Sequence, residues 1–303
     1  MRLLIAGAQG QLARAMIELA PAAPDVTAFA VGRPALDLTT TSSVLSTLAD
    51  FNPDVIVNAA AYTAVDRAEQ EPGAAMALNA DGPRRLAEAA TRRGAVLIHI
   101  STDCVFDGTK TEPYVEDDAA APLSAYGRSK LAGEQAVRAS VERHIILRTS
   151  WVFSPYGRNF VATMMQLSRE NDELRVVDDR WGCPTYAPHL AAAILGVARS
   201  VRADPQRAPW GTYHAAGTGA VTWCGFAREI MRLSAAQGGH SVPVVPITTT
   251  EYPTAAVRPA NSRLDCGKLA QNFGITLPPW QEGLADCMRR LSLAQTSRFA
   301  GGD

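Results

Sequence analysis

The first residues, MRLLIAGAQGQLARAMIEL, put an apolar run, two closely spaced glycines and a helical pattern in direct succession. A strand that ends in such a turn and feeds a helix is the opening of a parallel βαβ unit. Gly7 permits the tight turn, and Gly10 leaves room for a pyrophosphate to approach the backbone. The helix that follows supplies free N–H groups and the positive end of its dipole. The third position is Ala13, small enough for close helix–strand packing. A glycine-rich turn alone is weak evidence, because such turns occur wherever strand meets helix. Its place behind the first strand makes Gly7, Gln9, Gly10, Gln11 and Leu12 a candidate dinucleotide loop.

The rest of the first half keeps the same alternation. Apolar runs at Arg2–Ala6, Val26–Val31, Val55–Asn58, Val96–Ser101 and Ile145–Thr149 read as strands. Gln11–Leu19, Thr41–Phe51, Glu71–Arg93 and Ser124–Val141 carry apolar residues at helical spacing. Strands alternating with helices predict a doubly wound parallel sheet, Rossmann-like, with both faces covered. After Trp151 the pattern loosens. Helices are expected at Asn159–Glu170, Pro188–Ser200 and Trp280–Leu293, a strand at Leu174–Val177, and a return to the main sheet at Gly211–Gly217. The division this predicts is a dinucleotide-binding domain over residues 1–150, with later returns near 174–217. A smaller substrate-binding lobe over 151–303 is interleaved with it. The tail Ser297–Asp303 is expected to be disordered.

Charge and cysteine content narrow the function. A net charge of -1 gives no bulk reason to expect nucleic acid or an anionic membrane as partner. No apolar run approaches a membrane span, and the N-terminus reads as a strand, not a signal peptide. The five cysteines are widely spaced with no C-x-x-C pair, which fits a reducing cytoplasm. The five histidines show no metal-ligand spacing, so no metal site and no histidine-based triad are expected.

Two ends of one site can be read. The second strand closes on Arg33, with Asp37 and Leu38 just beyond. An arginine there suits a 2′-phosphate and leans the reading to NADPH over NADH, the alternative being a solvated loop arginine. Ala59, Ala60 and Ala61 end a central strand with small residues, which lets a cofactor lie across the backbone or a helix pack closely. At the other end, the fourth strand closes on Thr102 and Asp103, and Tyr126 and Lys130 stand at i and i+4 on one helix face. A phenol is a poor acid–base group at neutral pH, and a nearby ammonium favours its phenolate. Lys130 is therefore expected to lower the Tyr126 pKa and to hold the cofactor ribose, with Thr102 donating to the substrate oxygen.

The chain resembles the extended short-chain dehydrogenase/reductases and, more narrowly, the dTDP-4-dehydrorhamnose reductases. The resemblance runs nearly end to end: GAQGQLA, VNAAAYTAVDRAEQEP, STDCVFDG, APLSAYGRSKLAGE, LRTSWVF, DDRWGCPT and RPANSRLD. It implies an oxidoreductase of dTDP-rhamnose biosynthesis, supplying cell-envelope polysaccharide. The reaction would be NAD(P)H-dependent reduction of a dTDP-linked 4-keto sugar. It also implies a catalytic set of Thr102, Tyr126 and Lys130, with Asp103, Trp151, Asn159, Arg258 and Asn261 on the substrate side. Asn79 is expected only to fix local backbone. Cys104, Trp181 and Cys183 depart from the family pattern near the expected sugar pocket. Ala15, Pro188 and His189 stand where some relatives place magnesium-binding glutamates. A homodimer stays open, and a metal-bridged one is not expected. Two rivals remain: another nucleotide-sugar reductase or epimerase, and a non-catalytic regulatory subunit like the methionine adenosyltransferase β subunits. Dehydratases of this fold carry Thr-Asp-Glu, whereas Cys104 here supplies no third acid.

Overall fold

A computed structural model describes residues 1–300, with side chains described to residue 293. In chain order the first half contains β1 (Arg2–Ala6), α1 (Gln11–Leu19), β2 (Thr27–Val31), α2 (Thr41–Phe51), β3 (Val55–Asn58), α3 (Val65–Gln70), α4 (Pro72–Met76), α5 (Gly82–Arg93), β4 (Val96–Thr102), α6 (Ala125–Ser140) and β5 (His144–Thr149). The second contains β6 (Val152–Phe153), α7 (Phe160–Glu170), β7 (Leu174–Val177), β8 (Trp181–Gly182), β9 (Thr185–Tyr186), α8 (Ala187–Ala203), β10 (Gly211–His214), β11 (Val221–Thr222), α9 (Trp223–Ala236), β12 (Val244–Ile247), α10 (Gly267–Phe273) and α11 (Trp280–Ala300).

The main sheet has six strands in the order β10-β5-β4-β3-β1-β2, all parallel. Side chains alternate across it as the two-residue period of a strand demands. Leu3 and Ile5 join the core under α1 and α8, whereas Leu4 and Ala6 join the one under α2, α5 and α6. Each such fully buried Leu or Ile contributes roughly 1.5–3 kcal/mol. The chain runs from β1 outward to β2 and then restarts at β3 on the other side of β1. That reversal opens a crevice at the carboxyl ends of β1 and β3, the place where ligands bind in doubly wound sheets.

Three expectations need correction. Leu174–Val177 is a strand, but it pairs with β12 in a separate two-stranded sheet. Only Gly211–His214 returns to the main sheet, beside β5. The segment Glu71–Arg93 is not one helix: α4 ends at Met76, Ala77–Asp81 forms a wider π turn, and α5 starts at Gly82-Pro83. Pro83 has no N–H to continue the ladder. Asn79 holds the turn, its Oδ1 accepting from Tyr62 N–H at 2.7 Å and its Nδ2 donating to Ser129 Oγ at 2.9 Å. Asn79 thus fixes backbone, as its sequence context suggested. Finally, α11 runs on to Ala300, and the last three residues of the expected disordered tail lie outside the described ones.

A third core, built on Phe153, Leu174, Tyr186, Phe226 and Trp280, sits between α7, α9 and α11. No helix among the described residues is long and apolar enough to cross a membrane.

One buried ion pair ties α6 to the sheet. Glu134 is wholly buried and faces the Arg148 guanidinium of β5 through two contacts of 2.8 Å. Ser101 of β4 donates to the same carboxylate at 2.6 Å, and Arg138 approaches from the rim. Glu134→Leu leaves the Arg148 charge buried without its partner, so it should cost about 3–5 kcal/mol in urea unfolding.

Candidate active site

A cleft of about 830 Å³ opens along the carboxyl ends of β1, β3, β4 and β5. At one end lies the glycine turn. Gly7 takes φ +108°, and a Cβ there would stand 3.1 Å from the Ala60 backbone nitrogen. Turn and β3 end are therefore packed backbone to backbone, leaving Ala59, Ala60 and Ala61 on the cleft wall. A Cβ on Gly10 would meet only the Gly7 carbonyl oxygen, at 3.6 Å. Gly10 gives α1 no side-chain cap, so its first N–H groups are free for a phosphate. Gln11 crosses to the second half, its Nε2 donating to Val152 O and its Oε1 accepting from Ser154 Oγ at 2.7 Å.

Arg33, Asp37 and Leu38 line the end of the cleft beyond β2. Asp37 accepts from the N–H and hydroxyl of Thr39, which holds its carboxyl below the usual range. Arg33 makes no hydrogen bond or ion pair among the described residues. Free backbone N–H groups, small wall residues and an uncommitted guanidinium together fit a phosphorylated dinucleotide.

At the opposite end Thr102, Asp103, Tyr126, Lys130 and Trp151 line the same cleft. Ser124 caps α6 by accepting from Gly127 N–H at 3.1 Å, which sets Tyr126 in the first turn and Lys130 one turn on. Lys130 is only 2% exposed, and its Nζ donates to Ile100 O at 2.6 Å. Burial lowers its pKa to about 8, with Glu134 opposing. Burial raises the Tyr126 phenol above its ordinary value, and a hydrogen bond with Thr102 opposes this. The ammonium is committed to a carbonyl, and the phenol keeps its proton.

Thr102 stands beside Tyr126 in the cleft wall. Its Oγ1 donates to Asp103 Oδ1 at 2.8 Å and accepts from Cys104 N–H at 3.2 Å. Burial pushes the Asp103 carboxyl up to about 6, against hydrogen bonds from Thr102, Ser262 and Cys104.

Three expected substrate residues are not in the cleft wall. Asn159 caps α7, accepting from Ala162 N–H at 3.1 Å and donating to Ser154 O at 2.8 Å. Asn261 donates to the carbonyls of Lys110 and Glu112 and accepts from the Arg263 backbone, pinning the loop before it. Arg258 pairs with Asp66 of α3 at 2.6 Å. Their polar atoms are used inside the protein, which a motif alone does not reveal. Trp151 is in the wall with φ +47°, stacked on Trp223 at 3.5 Å. Cys183 is buried in a small core with Phe106 and Tyr114, whereas Trp181 is 46% exposed. Sequence reasoning missed Thr149 and Arg158, which also line the cleft. Neither stands in a spacing that marks it. Among the described residues no group of His, Cys, Asp and Glu is placed to hold a metal ion.

A family model described as the RmlD substrate binding domain matches residues 1–293. The dTDP-4-dehydrorhamnose reductase of Sinorhizobium fredii is 49% identical over 93% of this chain and 95% of its own length. That of Aggregatibacter actinomycetemcomitans is 44% identical over 93% and 97%. Among solved structures, the dTDP-4-dehydrorhamnose reductase of Clostridium acetobutylicum superposes with a TM-score of 0.89 at 38% identity, covering 96% of this chain and 100% of that one. The Bacillus anthracis enzyme, solved in complex with NADP, gives 0.88 at 37%, covering 95% and 99%.

The Asn159 geometry makes a measurable claim. Asn159→Ala should lower stability in urea by about 1 kcal/mol, the cost of a lost N-cap. Dinucleotide affinity, read by fluorescence titration, should not change.

Proposed function

Because the chain belongs to the dTDP-4-dehydrorhamnose reductase family, we propose that it reduces dTDP-4-dehydro-L-rhamnose to dTDP-L-rhamnose with NADPH. The observation that carries this is the meeting of Tyr126, Lys130 and Thr102 with the glycine turn in one continuous cleft. The α1 N-terminus, Ala59–Ala61, Lys130 and Tyr126 line one cleft and would hold a dinucleotide, with Arg33 placed to meet a 2′-phosphate. The bound cofactor supplies a hydride to the sugar's keto carbon. We assign the cofactor to the domain of residues 1–150 and the nucleotide of the sugar to the 151–303 lobe, with Trp151 at their junction. The reaction is assigned to the cytoplasm.

Each residue's task follows from its environment. A reductase needs a proton donor at the carbonyl oxygen, and burial keeps the Tyr126 phenol protonated until that oxygen gains charge. The Lys130 ammonium, about one helical turn on from the phenol, offsets the phenolate left behind and orients the ribose. Asp103 fixes the rotamer of Thr102. The relatives favour this reading over a regulatory subunit or another nucleotide-sugar enzyme, and Cys104 leaves elimination without a third acid.

Tyr126→Phe should cut kcat by about 10²–10⁴-fold, followed as NADPH absorbance, while NADPH still binds. Absence of turnover by the folded wild-type chain with either NADPH or NADH would overturn the assignment. The pH profile gives a second check. Lys130 loses its proton as pH rises through about 8, so kcat/KM should hold below that value and fall above it. A profile flat well past that pH would separate catalysis from the Lys130 charge.

A further inference from the structure

Three cationic side chains line the cleft: Arg33, Lys130 and Arg158. Arg33 is placed for a 2′-phosphate, and Lys130 is buried with its Nζ on the Ile100 carbonyl. Arg158 is exposed and makes no hydrogen bond or ion pair among the described residues. It has no task in the hydride or proton steps. A phosphorylated dinucleotide brings negative charge at two places, its 2′-phosphate and its central diphosphate. Of the groups assigned so far, only the free N–H groups of α1 face the second.

The loop that carries Arg158 is fastened to that helix end. Gln11, the first residue of α1, donates to Val152 O at 3.3 Å and accepts from Ser154 Oγ at 2.7 Å. Three residues on, the Arg14 guanidinium lies 4.6 Å from the centre of the Tyr156 ring. The loop is also closed on itself. Tyr156 N–H donates to Ser154 Oγ, and Asn159 Nδ2 donates to Ser154 O while its Oδ1 caps α7. Gly157, at φ +63°, turns the chain between Tyr156 and Arg158. The loop's polar atoms are thus spent on its own contacts and on α1. The guanidinium is left over, in the same cleft wall as Gly10 and Gln11. A sugar nucleotide carries a diphosphate too, but both anchors of this loop, Gln11 and Arg14, belong to the glycine-turn end of α1.

We propose that Arg158 is a cofactor-binding residue that pairs with the dinucleotide diphosphate held at the α1 N-terminus. This deepens the reductase reading above and rests on it. A guanidinium presents two parallel N–H donors, which match two phosphate oxygens. One diphosphate then takes backbone N–H groups from the first half of the chain and a guanidinium from the second. Binding the cofactor ties the two halves together.

The test compares Arg158→Gln, which removes the charge, with Arg158→Lys, which keeps it without the fork. Thermal unfolding establishes that each is folded. By fluorescence titration, Arg158→Gln should raise the Kd of NADPH and of NADH by about tenfold each, since both carry the diphosphate. Arg158→Lys should recover part of that loss. The gap between wild type and Arg158→Gln should narrow as salt rises, because an exposed ion pair is screened. Affinity for dTDP, titrated separately, should hold. Unchanged Kd values for both dinucleotides in Arg158→Gln overturn the proposal. A loss confined to NADPH also overturns it, by giving the guanidinium to the 2′-phosphate. So does a fall in dTDP affinity, which would give Arg158 to the sugar nucleotide. Failure of the wild-type chain to bind either dinucleotide would instead strike the cofactor reading itself, and this proposal with it.

Discussion

The Glu134 carboxylate holds the catalytic half of the molecule in register. It lies wholly inside the protein, between α6 and the sheet, and takes hydrogen bonds from Ser101 of β4 and Arg148 of β5. A carboxylate in that position is tolerable only because Ser101 and Arg148 meet it from two strands and Arg138 from its own helix. The consequence is geometric. Lys130 is one turn earlier on α6 and Tyr126 one turn before that, so fixing Glu134 fixes both over the ends of β4 and β5. Gly133 beside it lets α6 come so close that a Cβ would collide with the Asn79 carbonyl oxygen. The helix cannot rotate or lift without breaking one of these contacts.

The closeness that positions the site also dries it. Burial raises the Tyr126 phenol and the Asp103 carboxyl and lowers the Lys130 ammonium. All three shifts have one cause, the penalty a low-dielectric interior places on charge. For a reductase the direction is useful, since the phenol begins each cycle protonated. Preorganised donors also act more strongly where water is excluded.

The second half of the chain completes the cleft and does not merely abut it. Gln11 of α1 bonds to Val152 and Ser154, and the Tyr156 ring lies under the guanidinium groups of Arg14 at 4.6 Å and Arg290 at 5.2 Å. On the far side, Asp66 of α3 clasps Arg258 and accepts from the Ala256 backbone. The two halves therefore meet across polar contacts at both rims, while the cleft runs between.

What the residues alone determined follows from local rules. The period of apolar residues gave β1–β5, α1, α2 and α6 nearly to the residue, because a buried strand or amphipathic helix writes its period into the chain. The glycine turn and the Tyr126–Lys130 spacing marked both ends of the cleft for the same reason: i, i+4 neighbours share a helix face wherever the helix goes. Tertiary structure decided the rest. The break at Asn79 depends on Tyr62 and Ser129, distant in sequence, and the pairing of β7 with β12 joins segments that carry no mutual signal. Asn159, Asn261 and Arg258 looked like ligands because a polar residue in a loop has the same sequence signature whether it faces a substrate or a backbone carbonyl. Arg158 was silent for the converse reason. An uncommitted guanidinium is defined by the partners it lacks, and partners exist only once the chain has folded.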